Sequence, residues 1–99
     1  MKRVILNSIF TSPEKFEGKE ITVAGWARNI RTSNAFGFIM LNDGSYFTNL
    51  QVVIESSKID NYKEIASQNI GASLIVKGTI VLTPDAPQPF ELHASAVEI

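Results

Sequence analysis

The chain predicts an all-β fold with an accessory helix: five strands closing into a Greek-key barrel, the helix set between strands three and four. Two observations carry this. Apolar residues recur at a period of two over 19–31, 35–42, 50–54, 73–82 and 90–98, while only 56–71 carries helical spacing. Gly25 and Gly78 interrupt two of the strands, where a small barrel has to bend or bulge. Three strands, a helix and two more strands is the layout of the OB-fold. Its binding surface is the face of strands two and three, flanked by the loops joining strands one–two and four–five. Another small barrel with an accessory helix is the runner-up.

Residues 1–18 read as an N-terminal extension packing on the barrel. Val4 to Leu6 suit an edge strand. Between residues 8 and 18, Ser8 or Ser12 can cap a short helix, Pro13 fits its first turn, Glu14 follows and Gly18 stops it. Strand one places Ile21, Val23 and Gly25 on one face and Thr22, Ala24 and Trp26 on the other, with a bulge or bend expected at Gly25. Trp26 is expected to pack beneath that bend. Ser33-Asn34 makes a turn, and Asp43-Gly44-Ser45 marks the reversal after strand two. Ile59, Tyr62, Ile65, Ala66 and Ile70 fall on one helical stripe, which Gly71 closes. Three prolines hold open the loop from Thr83 to Pro89.

Ninety-nine residues make one domain with a small core. A hydrophobic share of 44% is ordinary for a folded chain. Nine basic and ten acidic side chains give a net charge of −1, which argues against bulk electrostatic attraction to duplex DNA but permits a local basic site. With no cysteine there is no disulfide framework and no thiolate metal site. No apolar run is long enough to span a bilayer, and the start lacks the pattern of a signal peptide, so a cytoplasmic setting fits. No nucleotide-binding loop, histidine pair or activated nucleophile appears. No catalytic residue is assigned, and His93 alone makes no metal site.

Alternation then places the candidate chemistry. Leu50, Val52 and Ile54 belong inside, which turns Gln51 out. Ile39 and Leu41 belong inside, which turns Phe36, Phe38 and Met40 out. Phe90, Leu92, Ala94 and Ala96 make the inner set of strand five, so Glu91, His93 and Ser95 face outward. A one-residue slip would bury Gln51, Glu91 and His93 together. The outer face therefore carries Phe38, Gln51 and Glu91, with Arg28 and Arg31 at its rim. Aromatic rings beside arginines suit unpaired nucleotides, since ring–base stacking is worth roughly 1–3 kcal/mol and tolerates any base. A glutamine amide can accept from a base imino N–H and donate to the neighbouring carbonyl, the pair that uracil presents. The bland reading of each residue stands beside this one. It has Phe36 and Phe38 covered by the N-terminal segment, both arginines as solvated charges, Gln51 as an ordinary strand residue and Glu91 in a surface salt bridge.

The run from Gly25-Trp26, with Arg28 and Arg31, through Phe38 and Leu41-Asn42-Asp43-Gly44-Ser45 to Leu50-Gln51-Val52-Val53 is similar to a known pattern. Val76-Lys77-Gly78, Gln88 and Glu91-Leu92 continue it. These residues resemble the N-terminal anticodon-binding OB domain of class II aminoacyl-tRNA synthetases, in the aspartate, asparagine and lysine subgroup. Asn42 to Ser45, with the long loop that follows, resembles the asparagine-specific members, whereas physics alone does not separate asparagine from aspartate specificity. The resemblance implies tRNA as partner, with Phe38 stacking on the central anticodon uridine, Gln51 reading its edge and Arg31 on the anticodon loop. It implies Glu91 beside the bases and the Pro84–Pro89 loop, including Gln88, around a neighbouring base. Asn29-Ile30 departs from the usual pattern, which leaves the role of Arg28 less defined than that of Arg31. It also implies a homodimeric, ATP- and magnesium-dependent ligase whose catalytic domain is not in these residues. The ending at Val97-Glu98-Ile99 reads as a domain boundary, of an excised domain or a stand-alone relative. General single-strand binding and protein interaction are the competing functions.

Overall fold

The computed structural model describes residues 3–85 and 89–99. β1 (Glu20–Thr32) is its longest strand and pairs along its length with two others. β2 (Phe36–Asn42), β3 (Leu50–Glu55), β4 (Ser73–Leu82) and β5 (Phe90–Glu98) complete a closed barrel in the order β1-β2-β3-β5-β4. All neighbours are antiparallel except β3 and β5, which run parallel through Val52↔Leu92 and Val53↔His93. A barrel closed in this way leaves no long unpaired edge.

The inner faces follow the alternation. Ile39, Leu41, Leu50, Val52, Ile54 and Leu92 are fully buried, and Phe90 is nearly so. Gly25 and Gly78 stand where strands approach too closely for a side chain. A Cβ on Gly25 would lie 2.4 Å from the Asn42 carbonyl oxygen, and one on Gly78 would lie 2.4 Å from that of His93. The β1 bulge is not at Gly25. Register passes from Ala27↔Leu41 to Asn29↔Met40, so Arg28 is the extra residue. A second irregularity makes Ser95 the extra residue of β5, between Lys77↔Ala96 and Gly78↔Ala94. Its hydroxyl donates to the Lys77 carbonyl at 3.1 Å. Alternation therefore skips a beat there: Val97 turns inward and Ala96, expected inside, is exposed.

The N-terminal segment enters earlier as a helix than its own residues suggest. α1 spans Leu6–Thr11, and a 3-10 turn follows at Pro13–Lys15. The edge pairing is limited to an Arg3↔Thr22 bridge and the Val4 N–H bond to Thr22. Ile5, at the N-cap position, has no side-chain acceptor, and Asp43 Oδ2 accepts from the Leu6 N–H at 2.8 Å instead. Leu6 and Ile9 are fully buried in the core. Phe10 stacks on Tyr46 at 4.6 Å and tilts against Phe90 at 4.7 Å, tying α1 to the β2–β3 loop and the core.

α2 is shorter than its periodic stripe, at Tyr62–Ala66. Ile59, Tyr62 and Ile65 are buried as the spacing predicts, but Ile70 is 72% exposed. The Ser67 hydroxyl and the Gln68 amide both bond the Glu64 carbonyl, which ends the helix before Ile70 can join it.

Candidate nucleic-acid interface

The outer face of β1, β2, β3 and β5 collects Arg31, Phe38, Gln51 and Glu91 in two adjacent rows, with Phe36 one row further along opposite Glu55. The first runs across the ladder as Arg31↔Phe38, Phe38↔Val53 and Val53↔His93. The bulge is what brings Arg31 into it. Ile21, Val23 and Ala27 point inward, so strict alternation would bury Arg31 with them. The extra residue at Arg28 shifts the phase. Ile30 packs against the core, and Arg28, Asn29 and Arg31 are exposed. Among the described residues neither arginine has an ion-pair partner.

Phe38 is 37% exposed and Phe36 is 48% exposed, so neither is covered by the N-terminal segment. With Arg31, Thr32 and Ser33 they line a cavity of about 310 Å³. A flat apolar wall with a guanidinium at its lip can stack a base and hold an anion beside it.

The second row is Asn29↔Met40 and Met40↔Gln51, with Glu91 beyond. Gln51 is therefore diagonal to Phe38, and Met40 is its direct neighbour on β2. The Gln51 amide Nε2 donates to Glu91 Oε2 at 3.0 Å. His93 Nε2 lies 2.8 Å from the other oxygen, Oε1. The Glu91 side chain is 17% exposed and that of His93 48%. A carboxylate only accepts, so it fixes which end of the Gln51 amide faces β5. The Gln51 carbonyl oxygen then points away from Glu91, and among the described residues nothing donates to it. His93 was missed as part of this set. Its signal was its parity, since it faces outward two residues after Glu91.

Gln88 lies outside the described residues, with Ala86 and Pro87 of the same Pro84–Pro89 loop. Trp26 does not pack beneath a bend. It is 37% exposed and its ring lies over Gly44, leaving 3.3 Å to where a Cβ would sit. Asn42-Asp43-Gly44-Ser45 is a self-bonded turn. Asn42 Oδ1 accepts from the Gly44 N–H, its Nδ2 donates to Tyr46 and Asn49, and Asp43 holds Ser45. Burial works to raise the Asp43 pKa, but the Ser45 hydroxyl and the Leu6 and Ser45 N–H groups outweigh it and hold the carboxyl below its ordinary value.

A larger cavity, about 850 Å³, lies apart from the one lined by Phe36 and Phe38, between the β1–β2 turn and α2. It touches none of the predicted site residues. Its one aromatic, Tyr62, is buried and donates its hydroxyl to the Ser33 carbonyl at 2.7 Å. The smaller cavity is the one that sets exposed rings beside an arginine. No cluster of three or more His, Cys, Asp or Glu suited to a metal occurs among the described residues, and no helix there is long and apolar enough to cross a membrane.

Comparison with known proteins agrees with this geometry. The chain is 50% identical over its whole length to the asparagine–tRNA ligase of Acetivibrio thermocellus, and 46% identical to that of Alkaliphilus oremlandii. It spans 21% of the length of each. The fold superposes on asparaginyl-tRNA synthetase from Pyrococcus horikoshii, complexed with asparaginyl-adenylate, with a TM-score of 0.84. That match covers 100% of this chain and 22% of the other at 21% identity. The model of the tRNA anti-codon family, an OB-fold nucleic acid binding domain, matches residues 21–99. With the barrel, the exposed ring–arginine pair and whole-length likeness to asparagine–tRNA ligases, the chain belongs to the anticodon-binding family of OB-fold nucleic acid binding domains.

Proposed function

We propose that this domain selects tRNA for an asparagine–tRNA ligase by reading the central uridine of the anticodon on the β1-β2-β3-β5 face. Phe38 stacks on the base, Arg31 holds the adjoining backbone, and Gln51 reads the base edge. Phe36 extends the stacking wall, Arg28 adds a weaker phosphate contact, and Gln88 belongs to the loop that shapes a neighbouring subsite. ATP-dependent attachment of asparagine, with its magnesium, belongs to the rest of the homodimeric ligase in the cytoplasm.

The observation that supports the reading is the bond from Gln51 to Glu91. An unrestrained amide can serve either pyrimidine, because a half-turn exchanges its donor and acceptor. Uracil offers N3–H beside a carbonyl, whereas cytosine offers N3 beside an amino group. A carboxylate that accepts only from Nε2 holds the Gln51 oxygen where it accepts from uracil N3–H. Its second N–H then donates to the uracil carbonyl. Cytosine at the same position brings acceptor against acceptor, and the buried mismatch is costly.

The test is titration of the 99-residue domain with an anticodon stem-loop carrying uridine or cytidine at the central position. Uridine binds tighter, and Gln51→Ala removes most of the preference. Equal binding of the two loops by the intact domain refutes the uridine reading. Similar affinity for unrelated oligonucleotides with steep salt dependence makes it a general single-strand binder. No RNA-induced shifts around Phe38 turns the same face toward a protein partner.

A further inference from the structure

We propose that His93 is a positioning residue for base selection, acting on Gln51 through Glu91. The inference rests on the uridine reading above and extends it to a residue that does not touch the base. Glu91 accepts from the Gln51 amide through one carboxylate oxygen and meets His93 through the other. Oε2 takes Gln51 at 3.0 Å and Oε1 takes His93 at 2.8 Å. A glutamate alone on a strand has three side-chain torsions in which to swing. A hydrogen bond on the far oxygen restrains them and fixes the plane of the carboxylate. That plane in turn sets the direction in which Oε2 accepts, and hence how the Gln51 amide is turned. The neutral imidazole with its proton on Nε2 can do this, and so can the imidazolium.

The strand ladder gives His93 no competing charged partner directly across. Val53 faces it on β3 and Thr79 on β4. The charged groups of those strands nearest in register are Glu55 and Lys77, each two residues further along. Glu55 bridges to Lys58 at 3.7 Å and Lys77 to Glu20 at 3.5 Å. His93 is also half exposed, so its removal opens no cavity in the core. The chain His93–Glu91–Gln51 thus runs sideways across two parallel strands, from a solvent-facing imidazole to the amide that meets the base.

The prediction separates selectivity from affinity. In the titration above, His93→Ala lowers the uridine-to-cytidine affinity ratio roughly three- to tenfold, the worth of one net hydrogen bond. Most of that change comes from tighter cytidine binding. His93→Gln, whose amide nitrogen can reach the same oxygen, restores the ratio. A second readout uses the RNA-free domain: the side-chain amide of Gln51, followed by 15N–1H NMR, moves upfield in His93→Ala and returns in His93→Gln. A wild-type domain indifferent to the base overturns this proposal together with the uridine reading. A wild type that discriminates beside a His93→Ala that discriminates equally overturns this proposal alone. Equal weakening of both loops by His93→Ala also overturns it, because that is the signature of a direct contact.

Discussion

Asp43 joins two segments far apart in sequence, and removing its carboxylate should loosen both. It accepts from the Leu6 N–H at 2.8 Å, the Ser45 N–H at 2.9 Å and the Ser45 hydroxyl at 2.6 Å. The first of these is the N-terminal cap of α1, which Ile5 cannot supply. Loss of a cap costs about 1 kcal/mol. The two partly exposed bonds to Ser45 add roughly 0.5 kcal/mol each, toward the low end for net hydrogen bonds. Asp43→Ala should therefore destabilise by about 2 kcal/mol, a fall in Tm of roughly 10 °C for a domain of this size. Asp43→Asn keeps one acceptor oxygen and should lose about half as much. The folded carboxyl sits below its ordinary pKa, so its stabilisation is complete above the unfolded value of about 3.9 and is lost as pH falls through the folded value. Urea unfolding at pH 7 and at steps down to pH 3 should thus show the gap between wild type and Asp43→Asn narrowing with acid. A loss below about 0.5 kcal/mol for Asp43→Ala, the scale of an ordinary surface change, refutes the capping argument. A gap that widens in acid refutes the titration argument.

Other expectations concern the strand bend and the face. Gly78→Ala puts a methyl against the His93 carbonyl and Ala94 backbone, which cannot yield as a side chain would; urea unfolding should show a loss of about 3 kcal/mol, the upper end for overpacking. Phe38→Ala should leave thermal unfolding within a few degrees of wild type while weakening the uridine stem-loop by about 1–3 kcal/mol, roughly 5- to 150-fold, in an anisotropy titration. Arg31→Ala should flatten the plot of log affinity against log salt by about 0.7, the share of one phosphate contact to a single strand, and by more than Arg28→Ala does.

The strands were legible because alternation and proline punctuation agree: β4 and β5 begin and end where the pattern does, at Ser73–Leu82 and Phe90–Glu98. The outward sets of β2 and β3 followed from the same period, which is why Phe38 and Gln51 could be placed from the residues alone. Each miss has a cause that local pattern cannot carry. The start of α1 depends on an acceptor 37 positions away. The helix stripe ran past Ser67 because spacing registers apolar residues and not a hydroxyl that closes the last turn. Ala96 was set inside because a bulge changes parity without changing composition. Trp26 and the Asn42–Ser45 turn were read separately, although the ring covers the turn. His93 looked solitary because its partner is reached through another strand residue's carboxylate.

The extra residue at Arg28 gives β1 a division of labour that depends on chain length rather than residue type. Before it, odd-numbered positions feed the interior; after it, even-numbered ones do. Deleting either residue between Ala27 and Ile30 would remove the bulge, and plain alternation from Ala27 would then still leave Ile30 inside and Arg31 outside. A homologue with a one-residue alignment gap in that window would thus keep the guanidinium opposite Phe38 and lose only the extra residue, whereas a gap elsewhere in β1 would exchange the two faces beyond it. Grafting new specificity onto this face can therefore shorten β1 by one residue at the bulge, but should hold the spacing constant on either side of it.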